Sequence, residues 1–174
     1  SSVRRRRTTR YAAAPAQAAF HNNLGEAYRR WGKLDEALAA YQRAVTLNPG
    51  LLPAITSIGG ILRQQGRLEE AAAHYRRMLG LHPESADLYN NFGNVLQEQG
   101  DFEGALAQYR QAVTLKSDCA EAYGNMGAVF YTQGRMGEAQ ACFEQALAHK
   151  PDFAEAHNNL GNVLREQGKM DEAL

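Results

Sequence analysis

The sequence predicts an all-α fold, a solenoid of antiparallel helix pairs, on three observations. Glycine recurs at Gly25, Gly59, Gly93, Gly127 and Gly161, each step being 34 residues. A second series, Gly32, Gly66, Gly100, Gly134 and Gly168, keeps that step seven residues later. Around these glycines, apolar residues fall at amphipathic-helix spacing twice in every unit. Such a period marks a stacked repeat, in which each unit buries its apolar face only against its neighbours.

The repeats span 18–174, as full units 18–51, 52–85, 86–119 and 120–153 and a partial fifth, 154–174. In the first unit the two helical stretches are 20–31 (FHNNLGEAYRRW) and 34–47 (LDEALAAYQRAVTL). The second glycine sits just past the first helix, where a residue without Cβ adopts the left-handed conformation at little cost. Asp35, Glu69, Glu103 and Asp171 then place negative charge at the positive N-terminus of the next helix. Pro49, Pro83 and Pro151 stop that helix, with Ser117 standing in the proline's place in the third unit.

The first glycine lies inside its helix, where it costs about 1 kcal/mol relative to alanine. Close approach of the paired helix through Ala37, Ala71, Ala105, Ala139 and Ala173 is the expected compensation. Leu24, Ile58, Phe92, Met126 and Leu160, with Tyr28, Leu62, Leu96, Phe130 and Leu164, are the expected interhelical filling. His21 and His157 occupy the aromatic position of their units and are expected to fill the same space.

The registers resemble the tetratricopeptide repeat family, whose W/Y-x-x-L-G-x-x-Y … A-x-x-x-Y/F-x-x-A … P pattern matches almost every unit. His21 and His157 stand in the first aromatic slot, and Met78 in the second alanine slot. The resemblance implies a right-handed α-solenoid, the TPR superhelix, whose first helices line a concave surface.

Residues 1–17 (SSVRRRRTTRYAAAPAQ) lack apolar periodicity and read as a disordered, Arg-rich segment. The chain as a whole is neutral, 19 Lys+Arg against 19 Asp+Glu. Arg4, Arg5, Arg6, Arg7 and Arg10 put +5 into the first ten residues, so the remainder carries 14 basic groups against 19 acidic ones, or −5. An acidic array is a poor nucleic-acid surface, and no nucleic acid is expected on the repeats. The arginines are compatible with organelle import or a nuclear signal, and equally with a solvated tail. No run approaches the roughly 18 apolar residues of a membrane span. With only two cysteines and no secretory signal, the expected location is intracellular, cytoplasmic or nuclear.

One position of the first helix carries the expected site. Two residues before the glycine stand Asn23, Ser57, Asn91, Asn125 and Asn159; Asn22, Asn90 and Asn158 lie beside them, and Asn94 and Asn162 one turn later. Asparagine is a mediocre helix former, so its recurrence asks for a reason. An amide offers both donors and an acceptor and can pair with another chain's N–H and C=O. The row resembles the ladder in the superhelical arrays of protein O-GlcNAc transferase and SPINDLY-type proteins. The resemblance implies that Asn23, Asn91, Asn94, Asn125, Asn159 and Asn162 bind extended peptide segments of partner proteins. The competing reading is that these amides bond to neighbouring helices or keep a wet surface soluble. A ring of cations for a peptide carboxylate is missing, Arg29, Arg63 and Arg165 standing nearer the helix ends.

No catalytic residues, metal ligands or cofactor motifs are recognised: the histidines and cysteines lack ligand spacing, and no phosphate-cradling glycine loop occurs. Three functions remain. The chain is a protein–protein interaction scaffold, or the substrate-recognition arm of an O-GlcNAc-transferase-like enzyme whose catalytic domain lies elsewhere, or a self-association module. The last reading comes from the fifth unit, which ends at Leu174 without a polar cap, predicting further chain beyond it or stacking of open ends.

Overall fold

The computed structural model describes residues 2–168, with side chains from Pro15 onward. Within them the chain is built of helices: α1 (Ser2–Arg30), α2 (Leu34–Leu47), α3 (Leu52–Gln64), α4 (Leu68–Leu81), α5 (Ala86–Glu98), α6 (Phe102–Leu115), α7 (Ala120–Thr132), α8 (Met136–His149) and α9 (Ala154–Glu166). No strand occurs among the described residues. The expected second helix of the fifth unit, with Asp171, Ala173 and the open end at Leu174, lies outside them.

The inter-helix turns follow from the second glycine. Gly32, Gly66, Gly100, Gly134 and Gly168 all have positive φ, between 72° and 82°. In the first turn Gly32 N–H donates to Arg29 C=O at 3.1 Å and Lys33 N–H to Tyr28 C=O at 2.9 Å. These are the paired bonds of a Schellman cap, and they repeat at Gly66, Gly100 and Gly134. Asp35, Glu69 and Glu103 lie in the first turns of α2, α4 and α6. Asp101 caps α6 through the Gly104 N–H at 2.9 Å.

The backbone is helical from Ser2, through the segment expected to be unstructured. Lack of amphipathicity motivated that expectation, but helix formation in 2–17 draws on propensity instead. Ala12, Ala13, Ala14 and Ala16, with the arginines, are strong helix formers. Pro15, inside α1, removes one backbone donor and its ring crowds the carbonyl four residues earlier, a cost borne within this helix.

The chain divides into two compact units, Ser1–His74 and Tyr75–Leu174. In the first, α1 pairs with α2, and α2 packs on α3. Its core holds Ala37, Tyr41, Ala44, Ala54, Ile55 and Ile61, each at most 2% exposed. In the second, α5 pairs with α6 and α7 with α8, and α5, α7 and α9 lie side by side. Leu88, Val95, Leu106, Tyr109, Val129, Phe143 and Val163 are fully buried there.

The helix-interior glycines have a different partner from the one expected. A Cβ on Gly25 would stand 2.8 Å from the Tyr41 ring, and one on Gly127 would stand 2.7 Å from Phe143; Gly93 meets Tyr109 in the same way. The paired helix does approach closely, but through its aromatic ring, while Ala37, Ala105 and Ala139 are buried beside it. A planar ring needs a flat floor, and only a residue without a side chain supplies one.

Most of the expected filling residues are buried: Ile58, Phe92, Met126, Leu62, Leu96, Phe130 and Leu164 are each at most 8% exposed. Leu24, Tyr28 and Leu160 are half-buried. His21 is half-buried with its ring edge-on to Phe20. His157 is not interhelical filler: it is exposed, and its Nε2 lies 2.7 Å from the Pro151 carbonyl, a polar contact that draws the ring to the turn.

Candidate functional site

The side-by-side packing of α5, α7 and α9 turns one face of each first helix into a common wall in the second unit. Its centre is a set of amides. Asn125 on α7 donates from Nδ2 to Asn90 Oδ1 at 3.0 Å and to Asn94 Oδ1 at 2.9 Å, both on α5. Beneath them the Tyr109 hydroxyl of α6 lies 2.8 Å from Asn94 Oδ1 and 2.8 Å from Gln97 Oε1. The one hydroxyl proton is shared between these two acceptors, while the Asn94 carbonyl also accepts from Asn125. All three asparagines are half-buried.

Further along the wall, the Tyr131 hydroxyl of α7 donates to Glu166 of α9 in a short hydrogen bond. That carboxylate contact raises the tyrosine pKa. Arg165 donates to Asn162 Oδ1 at 2.8 Å. Asn91 and Asn159 are half-buried, with no side-chain hydrogen bond among the described residues. Gly124 takes the place that asparagine holds in other units, because the Phe153 ring stands 3.0 Å from where its Cβ would be.

The first unit repeats the plan with other chemistry. Tyr41 donates to Glu26 Oε2 at 3.1 Å. Arg29 clasps the Glu26 carboxylate at 2.9 and 3.0 Å and Arg30 adds a contact at 3.2 Å, lowering the Glu26 pKa to about 2. Asn23 is exposed. With Glu26, Ala27, Arg30 and Trp31 it lines an open depression of about 310 Å³ on α1.

Of the expected site residues, the structure joins Asn94 to Asn125 by a hydrogen bond between neighbouring helices, the arrangement that the competing reading of the asparagines expected, while Asn23 lies in the first unit. Asn90, Gln97 and Tyr109 complete the central cluster and were not among those site residues. The sequence held a partial signal for the tyrosine: hydroxyl and polar partner occur together at Tyr41 with Glu26 and Tyr109 with Asn94 and are absent together at Phe143 with Ala128, but Tyr75 stands against Gly60.

Cys119 and Cys142 are free, and burial pushes both thiols up, Cys142 to about 11. Among the described residues, no group of three or more His, Cys, Asp or Glu side chains is placed to hold a metal ion. No described helix is long and apolar enough to cross a membrane.

A hairpin of two helices closed by a Schellman glycine, with an aromatic ring seated on a helix-interior glycine and repeated every 34 residues, defines a tetratricopeptide repeat protein. Tetratricopeptide-repeat family profiles match residues 18–51, 59–100, 93–134 and 130–174, and the chain belongs to that family. A search of curated proteins finds no match. Among solved structures it is similar to pilF of Pseudomonas aeruginosa, at 20% identity and TM-score 0.83 over 92% of this chain and 73% of that one. It is also similar to MamA, at 23% identity and TM-score 0.73 over 90% and 86% of the two chains. YrrB, described as a TPR protein with an unusual peptide-binding site, is 25% identical with TM-score 0.64 over 88% and 79%.

Proposed function

We propose that this protein is a non-catalytic scaffold that holds extended segments of partner proteins against the first-helix wall, gripping main chain through asparagine amides. The observation that carries the reading is the Asn90–Asn94–Asn125 cluster, whose amides are braced by one another and by Tyr109. Bracing removes the rotamer entropy that a loose asparagine would lose on binding. Asn91, Asn159 and Asn162 extend the set of amides in the second unit, and Asn23 offers an amide in the first. The similarity to YrrB supports a peptide as the guest.

Net hydrogen-bond gains near 1 kcal/mol each make such a groove a micromolar binder at best. A peptide array probed with the whole chain tests the reading. Capture of uncharged extended peptides, lost in an Asn91→Ala/Asn94→Ala/Asn159→Ala variant that still folds, is the expected result. Equal capture by that variant would remove the asparagines from the site. The asparagine pattern also fits the recognition arm of an O-GlcNAc-transferase-like enzyme, in which the same wall would hold the polypeptide to be modified.

A further inference from the structure

We infer that Tyr109 is a positioning residue that gives the wall a polarity, making Asn94 its hydrogen-bond donor and Asn125 its acceptor toward a guest backbone. The inference rests on the peptide-binding reading above and specifies the chemistry of its contact. The Asn94 carbonyl oxygen accepts from Asn125 Nδ2 at 2.9 Å and lies 2.8 Å from the Tyr109 hydroxyl, whose one proton it shares with Gln97 Oε1, so both contacts turn that oxygen into the protein. What Asn94 has left is its NH2 group. Asn125 is the mirror case: both N–H bonds of its amide go to α5, to Asn90 and Asn94. What Asn125 has left is its carbonyl oxygen.

An extended peptide presents C=O and N–H groups in alternation along each edge, so one donor and one acceptor on neighbouring helices match one edge of it. The match fixes which guest group meets which helix: a guest carbonyl at α5 and a guest N–H at α7. Without the hydroxyl of Tyr109, the Asn94 carbonyl loses its share of that proton and is held inward by Asn125 alone, and the flipped amide competes.

The chain contains its own controls for the variants this calls for. Phe143 occupies the Tyr109 position of the next hairpin, fully buried and seated on Gly127 in the same way, so Tyr109→Phe is compatible with the fold. Glu26 places a carboxylate over the Tyr41 hydroxyl, so Asn94→Asp keeps an acceptor for the tyrosine while removing the N–H donor.

The test follows the side-chain amide signals by ¹H–¹⁵N NMR while the whole protein is titrated with N-acetylglycine N′-methylamide, a single uncharged peptide unit. In the wild type the Asn94 NH2 pair is expected to shift more than the Asn125 pair, whose protons are already bonded. Tyr109→Phe and Asn94→Asp should each weaken the apparent affinity about fivefold, the worth of one net hydrogen bond. Wild-type affinity in both variants, or a response centred on the Asn125 protons, would overturn the assigned polarity and leave peptide binding standing. A wild type whose wall amides do not respond up to the solubility limit of the probe would remove the peptide-binding reading and this inference with it.

Discussion

The Tyr41 hydroxyl donates to the Glu26 carboxylate at 3.1 Å across the α1–α2 hairpin, and the same carboxylate is held by Arg29 and Arg30. A contact with two guanidiniums and a phenol favours the ionised form, and the Glu26 pKa falls from 4.5 to about 2. The folded pKa is the depressed one, so the contribution to stability is complete above about pH 4.5. It is lost as the pH falls from there through about 2. Glu26→Gln should therefore be less stable than the wild type at neutral pH, and the difference should shrink steadily below pH 4.5. Urea denaturation of both proteins across that range measures it; a difference independent of pH would mean that the charge of Glu26 is not what matters.

The glycines divide by what surrounds them. Gly25→Ala and Gly127→Ala press a methyl into the Tyr41 and Phe143 rings. Each should cost about 1–2 kcal/mol, overpacking outweighing the roughly 1 kcal/mol of helix propensity gained. Gly60→Ala, also inside a helix but with nothing within 4 Å of the new Cβ, should instead stabilise by about 0.5–1 kcal/mol. Opposite signs in chemical denaturation are the expected outcome. Destabilisation at Gly60 would show that backbone conformation, and not the aromatic ring, selects glycine in these helices.

The asparagines should also separate. Asn125 carries two interhelical hydrogen bonds and Asn159 none among the described residues. Replacing Asn159 by alanine should leave stability unchanged or raise it slightly, since alanine is the better helix former. Asn125→Ala should be the less stable of the two by about 1–3 kcal/mol, the net value of the two interhelical bonds lost. Equal melting curves for the two variants would count against the brace between α5 and α7.

Thiol reactivity gives an independent check on burial. With the Cys142 thiol pushed to about 11 and Cys119 raised as well, neither is appreciably ionised at neutral pH. Modification by an aromatic disulfide reagent should be slow in the native protein. The Cys142 rate should keep climbing by about tenfold per pH unit beyond pH 9, where an ordinary thiol of pKa near 8.5 has levelled off. Rapid labelling at pH 7 would place these cysteines in a different environment.

Local signals in the chain were enough for the helix pairs and their turns. A left-handed glycine, an acidic first turn and a terminating proline act within a few residues, so Gly32, Asp35 and Pro49 announce a boundary wherever they occur in that order. The 34-residue registers likewise exposed the asparagine row, because repetition is visible without coordinates. Partner choice was another matter. That Gly25 faces the Tyr41 ring, and not Ala37, depends on how two helices sixteen residues apart roll against each other. That Asn125 spends its protons on Asn90 and Asn94 depends on the spacing of α5 and α7. Helix propensity and periodicity report on a residue's own turn, whereas the direction in which an amide has hydrogen-bonding capacity left over is set by neighbours fifteen to thirty-five residues away, and those are assigned when the helices pack.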